Sequence, residues 1–220
     1  GGIVAAMAFN RRFDAQYASI KMAVVEGRIG RPEAVNIVSR TASPPTPEFI
    51  KTTGGLFAEK GSHFYDLARW ICDEEPLEVY AMGSVMIDPG FAKVGEVDTA
   101  MVTMRMPSGA LCQLDFSWRT AYGQDERLEV NGALGMLSTE QAPVGGYLHQ
   151  TAEGLTRPGR LAGWQERFAP TYRAELEGFI DLLEGRSDAP QLPSLADGLA
   201  VQRIAEAARR SVRENRPIAL

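Results

Sequence analysis

Between Leu77 and Glu140 the apolar pattern stops following a helical period and begins to alternate. EVYAMGSVMI, DTAMVTMRM, ALCQLDFSWR, ERLEVNG and GMLSTE follow one another, separated by DPG, PSG, YGQD and GALG. Turn signals at such regular spacing predict a large, mostly antiparallel sheet, because only short hairpin-type connections fit between the strands. No other feature constrains the fold as strongly.

The flanking segments supply helices. IVAAMAF (Ile3 to Phe9) reads as a short buried strand, and Ala15 to Glu26 as a helix stopped by Gly27. AVNIVSR, after Pro32, alternates as a strand, and the proline-rich TASPPTPEF reads as a loop without regular structure. A helix is predicted from about Ser62 to Cys72, with Phe64, Leu67, Ala68 and Ile71 on one face. A looser region from Ala142 to Gly163 holds a candidate hairpin, YLHQTAEGLTR, and helices at about Thr171 to Glu184 and Ala196 to Asn215 close the chain. This succession is not the βαβαβ of a doubly wound nucleotide fold. It predicts one α+β domain over residues 1–220, an open sheet with helices packed on one face. Met82, Met86, Met101, Met104 and Met106 lie in adjacent strand segments. They suggest apolar side chains on both sheet faces, which pairing through the sheet into a homodimer or homotetramer would bury; otherwise all five face the helices.

With 45% hydrophobic and 23% charged residues, the 220-residue chain is long enough for a sizeable core. A net charge of −5 argues against a nucleic-acid partner, and no apolar run approaches the ~20 residues of a membrane span. Cys72 and Cys112 are the only cysteines, with no CxxC and no signal-like start, which suggests a cytoplasmic protein with both thiols packed in apolar elements. The chain opens directly on the core-like GGIVAAMAF, as a piece of a longer protein would.

The chemistry concentrates in GGLFAEKGSHFYDLAR (Gly54 to Arg69). No GxGxxG stands between a strand and a helix, and GALG and PVGG lie between strands; P-loop, HExxH and GxSxG patterns are absent as well. Glu59 and His63, four residues apart, fall on one side of a helical first turn. There a helix N-terminus would keep the imidazole neutral, as a proton acceptor must be, and Gly54 and Gly55 would let the backbone approach a ligand. A packed or solvated histidine is the plain alternative, and two ligands fall short of a zinc site.

FNRRFDAQY (Phe9 to Tyr17), GRIGRPE (Gly27 to Glu33), GGLFxxxxxHFYDLARW (Gly54 to Trp70) and DTAMVTMRMPSGAL (Asp98 to Leu111) together resemble the Gfo/Idh/MocA oxidoreductases, and most of all their myo-inositol 2-dehydrogenase branch. YRAELEGFIDLLEG (Tyr172 to Gly185) and DGLAVQRIAEAARRS (Asp197 to Ser211) match the family's closing helices. The resemblance implies a C-terminal domain whose free sheet face forms oligomers. It also implies that NAD or NADP, and the Glu-Lys-Pro motif with its catalytic lysine, belong to an N-terminal domain not in this chain. Lys60 is therefore not that lysine. The family's aspartate–histidine pair maps onto Glu59 and His63, with glutamate where aspartate is usual. By position Ser39, Arg40 and Thr41, and the loop with Tyr122 and Gln124, resemble segments lining the polyol pocket, whereas Arg127 reads as structural.

The function these features imply is the substrate-binding half of an NAD(P)-dependent dehydrogenase acting on a cyclic polyol or sugar. His63 would take the hydroxyl proton, Glu59 would hold substrate hydroxyls or orient His63, and the isolated chain would be inactive. A catalytically silent oligomerisation or ligand-binding module is the alternative, and a lyase or hydrolase on the same scaffold is a third reading.

Overall fold

The computed structural model describes residues 3–140, 147–187 and 191–220; the opening glycines, the start of the loose region at Ala142 and the PVGG stretch lie outside them. Its centre is a seven-stranded sheet. The strands are β1 (Pro32–Arg40), β2 (Glu78–Ser84), β3 (Thr99–Arg105), β4 (Leu111–Ser117), β5 (Asp125–Gly132), β6 (Gly135–Ser138) and β9 (Ile218–Ala219). Their spatial order is β6-β5-β1-β4-β3-β2-β9. β1 runs parallel to β4, with Ile37 opposite Leu114, while the other pairs are antiparallel. A separate hairpin joins β7 (His149–Thr151) and β8 (Gly154–Thr156), inside the stretch expected to form one.

Alternation along the strands decides which side is covered. Val35 and Ile37, Val102 and Met104, and Leu114 and Phe116 point to one buried face. Onto that face pack α3 (Gly61–Cys72) and α6 (Leu195–Glu214), with α1 (Ala15–Val25) against α3. Asp14 caps α1 through the Gln16 amide, and Ser194 with Asp197 forms a capping box on α6, so both helices start where their orphan amides find acceptors. The other sheet face is open: Met82 is 61% exposed and Met101 44% exposed, while Met104 and Met106 are fully buried. The methionines therefore divide between the faces.

Several local expectations change. Ile3–Phe9 is not a strand; Ile3 is exposed, and the segment docks through the Met7 amide on Pro193 O. The proline-rich loop gives way to α2 (Pro47–Thr53), because Pro47 stands in the first helical turn, where no amide is needed, and Thr46 caps it. β2 stops at Ser84 since the buried Asp98 carboxylate takes the Met86 and Ile87 amides, both at 2.8 Å, away from the ladder. A single short turn, α4 (Gly90–Lys93), follows. Finally α5 (Trp164–Leu183) begins before Thr171 with Pro170 inside it, anchored by buried Phe168 and Thr171 on either side. Cys72 and Cys112 are free thiols with sulfurs 3.8 Å apart, at the junction of α3 and β4.

Candidate functional site

The two glycines that open the His63 segment do not touch a ligand space. Gly54 ends α2 in the left-handed region at φ 89°, and Gly55 follows at φ 78°. A Cβ on Gly55 would lie 2.0 Å from the Glu96 carboxylate, and Arg209 of α6 reaches both Glu96 and Gly54 O. The pair is a turn clamped against α6. Beyond it Leu56–Lys60 forms a π turn that runs into α3. His63 is therefore well inside a continuous helical path rather than at a free N-terminus. What keeps its imidazole neutral is burial, reinforced by the nearby Arg11 cation; together these hold its pKa well below the ordinary histidine value.

His63 and Glu59 line one cavity of about 330 Å³, on the helix-covered side of the sheet beside the carboxyl ends of β1 and β4. Ser39, Thr41 and Gln124 line it too. Arg40 and Tyr122 do not. Strand alternation turns Arg40 to the opposite, open face, where it binds Asp115 and Tyr122, and the Tyr122 hydroxyl donates to Asp125 at 2.8 Å. Arg127 lies with them, bonded to Asp125 at 2.9 Å.

Sequence reasoning missed Arg11, Glu126, Trp118 and the aromatic pair Trp164 and Tyr172, all of which line the cavity. Arg11, in the 3-10 turn Asn10–Phe13, holds Glu126 through two nitrogens and stacks over the Phe168 ring at 4.1 Å. Strand parity was the available signal for Trp118, since it continues the inward series Cys112, Leu114, Phe116.

Burial governs the titrating groups. Glu59 is pushed above the usual carboxylate value by desolvation, with Lys60 and Arg11 opposing. Lys60 is pulled down to about 7, again by desolvation first. Its ammonium donates to Thr41 Oγ1 at 2.7 Å, Ser117 O at 2.7 Å and Ser39 O at 3.2 Å. Both cations of the cavity are thus engaged, Arg11 by a carboxylate and Lys60 by three neutral oxygens. In contrast, Ser39 Oγ, His63 Nδ1, Trp118 Nε1 and Gln124 Oε1 are buried without a hydrogen-bond partner among the described residues. Each such group costs about 1–3 kcal/mol if left unmet, so their gathering around one cavity marks a place prepared for a ligand with both donors and acceptors. Among the described residues no three His, Cys, Asp or Glu side chains are grouped to hold a metal, and no helix is long and apolar enough to cross a membrane.

An inositol 2-dehydrogenase of Rhizobium meliloti (strain 1021) is 38% identical over 213 residues, covering 96% of this chain and 64% of the relative. The crystal structure of a myo-inositol dehydrogenase from Corynebacterium glutamicum ATCC 13032 superposes with a TM-score of 0.89 at 29% identity, over 96% of this chain and 63% of that one. A scyllo-inositol dehydrogenase from Lactobacillus casei, solved with NAD(H) and scyllo-inositol bound, gives a TM-score of 0.84 at 27% identity, over 96% and 63%. The chain spans less than two thirds of the length of these relatives. The profile of the GFO/IDH/MocA C-terminal domain matches residues 17–138, more than half of the chain, and the chain therefore belongs to the GFO/IDH/MocA family.

Proposed function

We propose that this chain is the substrate-binding half of an NAD(P)-dependent dehydrogenase that oxidises a hydroxyl of a neutral cyclic polyol or sugar. The observation that carries the reading is the set of four unpartnered polar atoms around a cavity whose cations are both already engaged. A polyol offers donors and acceptors without charge, whereas a phosphate or carboxylate ligand would need a cation that is free. The inositol dehydrogenase names of the relatives point the same way.

The chain has no dinucleotide cradle of its own: it lacks the strand–GxGxxG–helix unit, so NAD or NADP would be held by a further domain. In this reading hydride leaves the substrate carbon for a nicotinamide held outside this chain. The residues described here do the rest. His63, kept neutral by burial, accepts the hydroxyl proton. Glu59 holds neighbouring hydroxyls, and Ser39, Trp118 and Gln124 fix the ring.

The test uses the full-length protein with NAD or NADP and a panel of inositols and sugars, following reduced nicotinamide by absorbance. Turnover of a neutral polyol is expected, and failure with every polyol and sugar while the folded protein still binds cofactor would overturn the reading. By calorimetry, the isolated chain should show no micromolar binding of NAD(P).

A further inference from the structure

Lys60 lines the cavity, yet the reaction proposed above gives it no task. Its surroundings are specific. β1 and β4 are parallel neighbours, and their last ladder pair is Arg40 opposite Ser117. Past that pair one more ladder-like bond, from the Thr41 amide to Ser117 O at 3.1 Å, joins the two segments before they part beside the cavity. Lys60, carried there by the π turn, points its ammonium at this junction. Its three protons meet three acceptors: Ser39 O on β1, Thr41 Oγ1 just after it, and Ser117 O at the end of β4. The nitrogen also stands 4.5 Å from the centre of the Trp118 ring.

An ammonium with all three protons engaged has none left for a substrate and no lone pair to receive a proton. It acts through what it holds. Those groups include Ser39, Thr41 and Trp118, three of the cavity's lining residues, and two of them carry unpartnered polar atoms. We propose that Lys60 is a positioning residue of this site, whose ammonium ties the ends of β1 and β4 together and fixes the Trp118 indole in the arrangement that receives the ligand. The assignment of a polyol as that ligand rests on the reading above.

The charge state matters because a neutral amine has only two protons for three acceptors. One of the three bonds must then fail, and the junction loosens. The charged and titratable groups facing Lys60 are Glu59 on its own turn, His63 on α3, Arg11 on the 3-10 turn, Asp115 on β4 and Glu126 on β5. The carboxylates favour protonation, but burial first and Arg11 with it oppose it, and they win, bringing the amine to about 7. Deprotonation above that value removes a donor from the junction, so ligand affinity falls as pH rises.

The experiment uses the full-length protein with two variants, Lys60→Met, which keeps the bulk and removes every donor, and Lys60→Gln, which keeps two donors. Lys60→Met is expected to raise KM for the polyol about tenfold with kcat changed less than about threefold, and Lys60→Gln to recover part of the loss. The wild-type rise of KM between about pH 6 and about pH 8 should vanish in Lys60→Met. A second readout needs no substrate. With Trp70→Phe and Trp164→Phe, Trp118 is the sole tryptophan of these 220 residues, and any tryptophan elsewhere in the full-length protein is replaced by phenylalanine as well. Its emission should shift over the same pH range, and that shift should disappear with Lys60→Met. An active Lys60→Met enzyme with unchanged KM, or a folded protein whose Trp118 emission ignores both pH and Lys60, overturns the proposal. If no polyol is turned over but Trp118 still follows Lys60, the substrate reading fails while the role of Lys60 stands.

Discussion

The Arg11 guanidinium meets the Glu126 carboxylate through Nη2 at 3.1 Å and Nε at 3.3 Å, with both side chains nearly shielded from solvent. Gln124 Nε2 adds a further bond to the same carboxylate at 2.8 Å, and Arg11 Nη1 donates to Asn10 Oδ1, whose amide in turn bonds Thr171 of α5. One arginine therefore ties the 3-10 turn near the start of the chain to β5 and, through Asn10, to α5. Arg11→Met keeps apolar bulk over Phe168 but strands Glu126. Removing one partner of a buried pair costs about 3–5 kcal/mol. Urea denaturation should show a loss of that size, and a loss under about 1 kcal/mol would mean that Glu126 finds water instead.

Under the proposed reaction, His63 separates chemistry from stability. Its Nδ1 is unpartnered and its ring meets Phe9 edge-on at 6.1 Å, so a smaller residue forfeits packing but no hydrogen bond from that nitrogen. In the full-length enzyme His63→Ala should lower kcat by roughly 10²–10⁴, the scale of a lost general base, while the melting transition moves little. Glu59→Asp, which shortens the side chain by one methylene and keeps the carboxylate, should retain much of the activity or shift preference among polyols. Comparable kcat for His63→Ala and the parent would remove His63 from the proton-accepting role.

Glu175 on α5 is nearly buried, with one carboxylate oxygen unpartnered, and its pKa is raised from 4.5 to about 7 by desolvation that Arg11 only partly offsets. The folded state thus binds this proton more tightly than the unfolded state. The stability it contributes is complete below the unfolded value of 4.5 and is lost as pH rises through about 7. Glu175→Gln, neutral at every pH, should flatten that slope and be about 1–2 kcal/mol more stable than the parent near pH 8. Parallel denaturation curves for the two proteins across pH would contradict the assignment.

Alternation made the sheet legible. Hydrophobic period and turn signals located β1 to β6, and the same parity separates Ser39, facing the cavity, from Arg40, facing away. Placing both residues at the pocket ignored that rule. Where side chains capture backbone groups, the pattern misleads: Asp98 ends β2 early, and Thr46 with Pro47 starts a helix in a proline-rich loop. The Glu59–His63 spacing was readable because it is local. The contacts of Arg11, Trp118 and Lys60 join distant segments, and no local period records them. The double glycine was visible but not its meaning, since Glu96 and Arg209 come from elsewhere in the chain.

Met82 and Met101 stand directly opposite each other on β2 and β3, both exposed on the sheet face that no helix of the described residues covers. Cross-strand apolar pairs exposed on a flat sheet are costly in a monomer and suit a self-complementary contact, in which the same patch serves both copies. We propose that the protein assembles through this face as a dimer or tetramer. Met101→Glu would set a carboxylate beside Asp115, its neighbour on β4, and across from its own copy in any such contact. The full-length variant should then sediment and scatter light as a smaller species than the parent at equal concentration, with its melting transition preserved at dilutions where both are monomers. A parent that is already monomeric at micromolar concentration, or a Met101→Glu variant of unchanged mass, would place the contact elsewhere and leave the methionine pair as ordinary exposed surface.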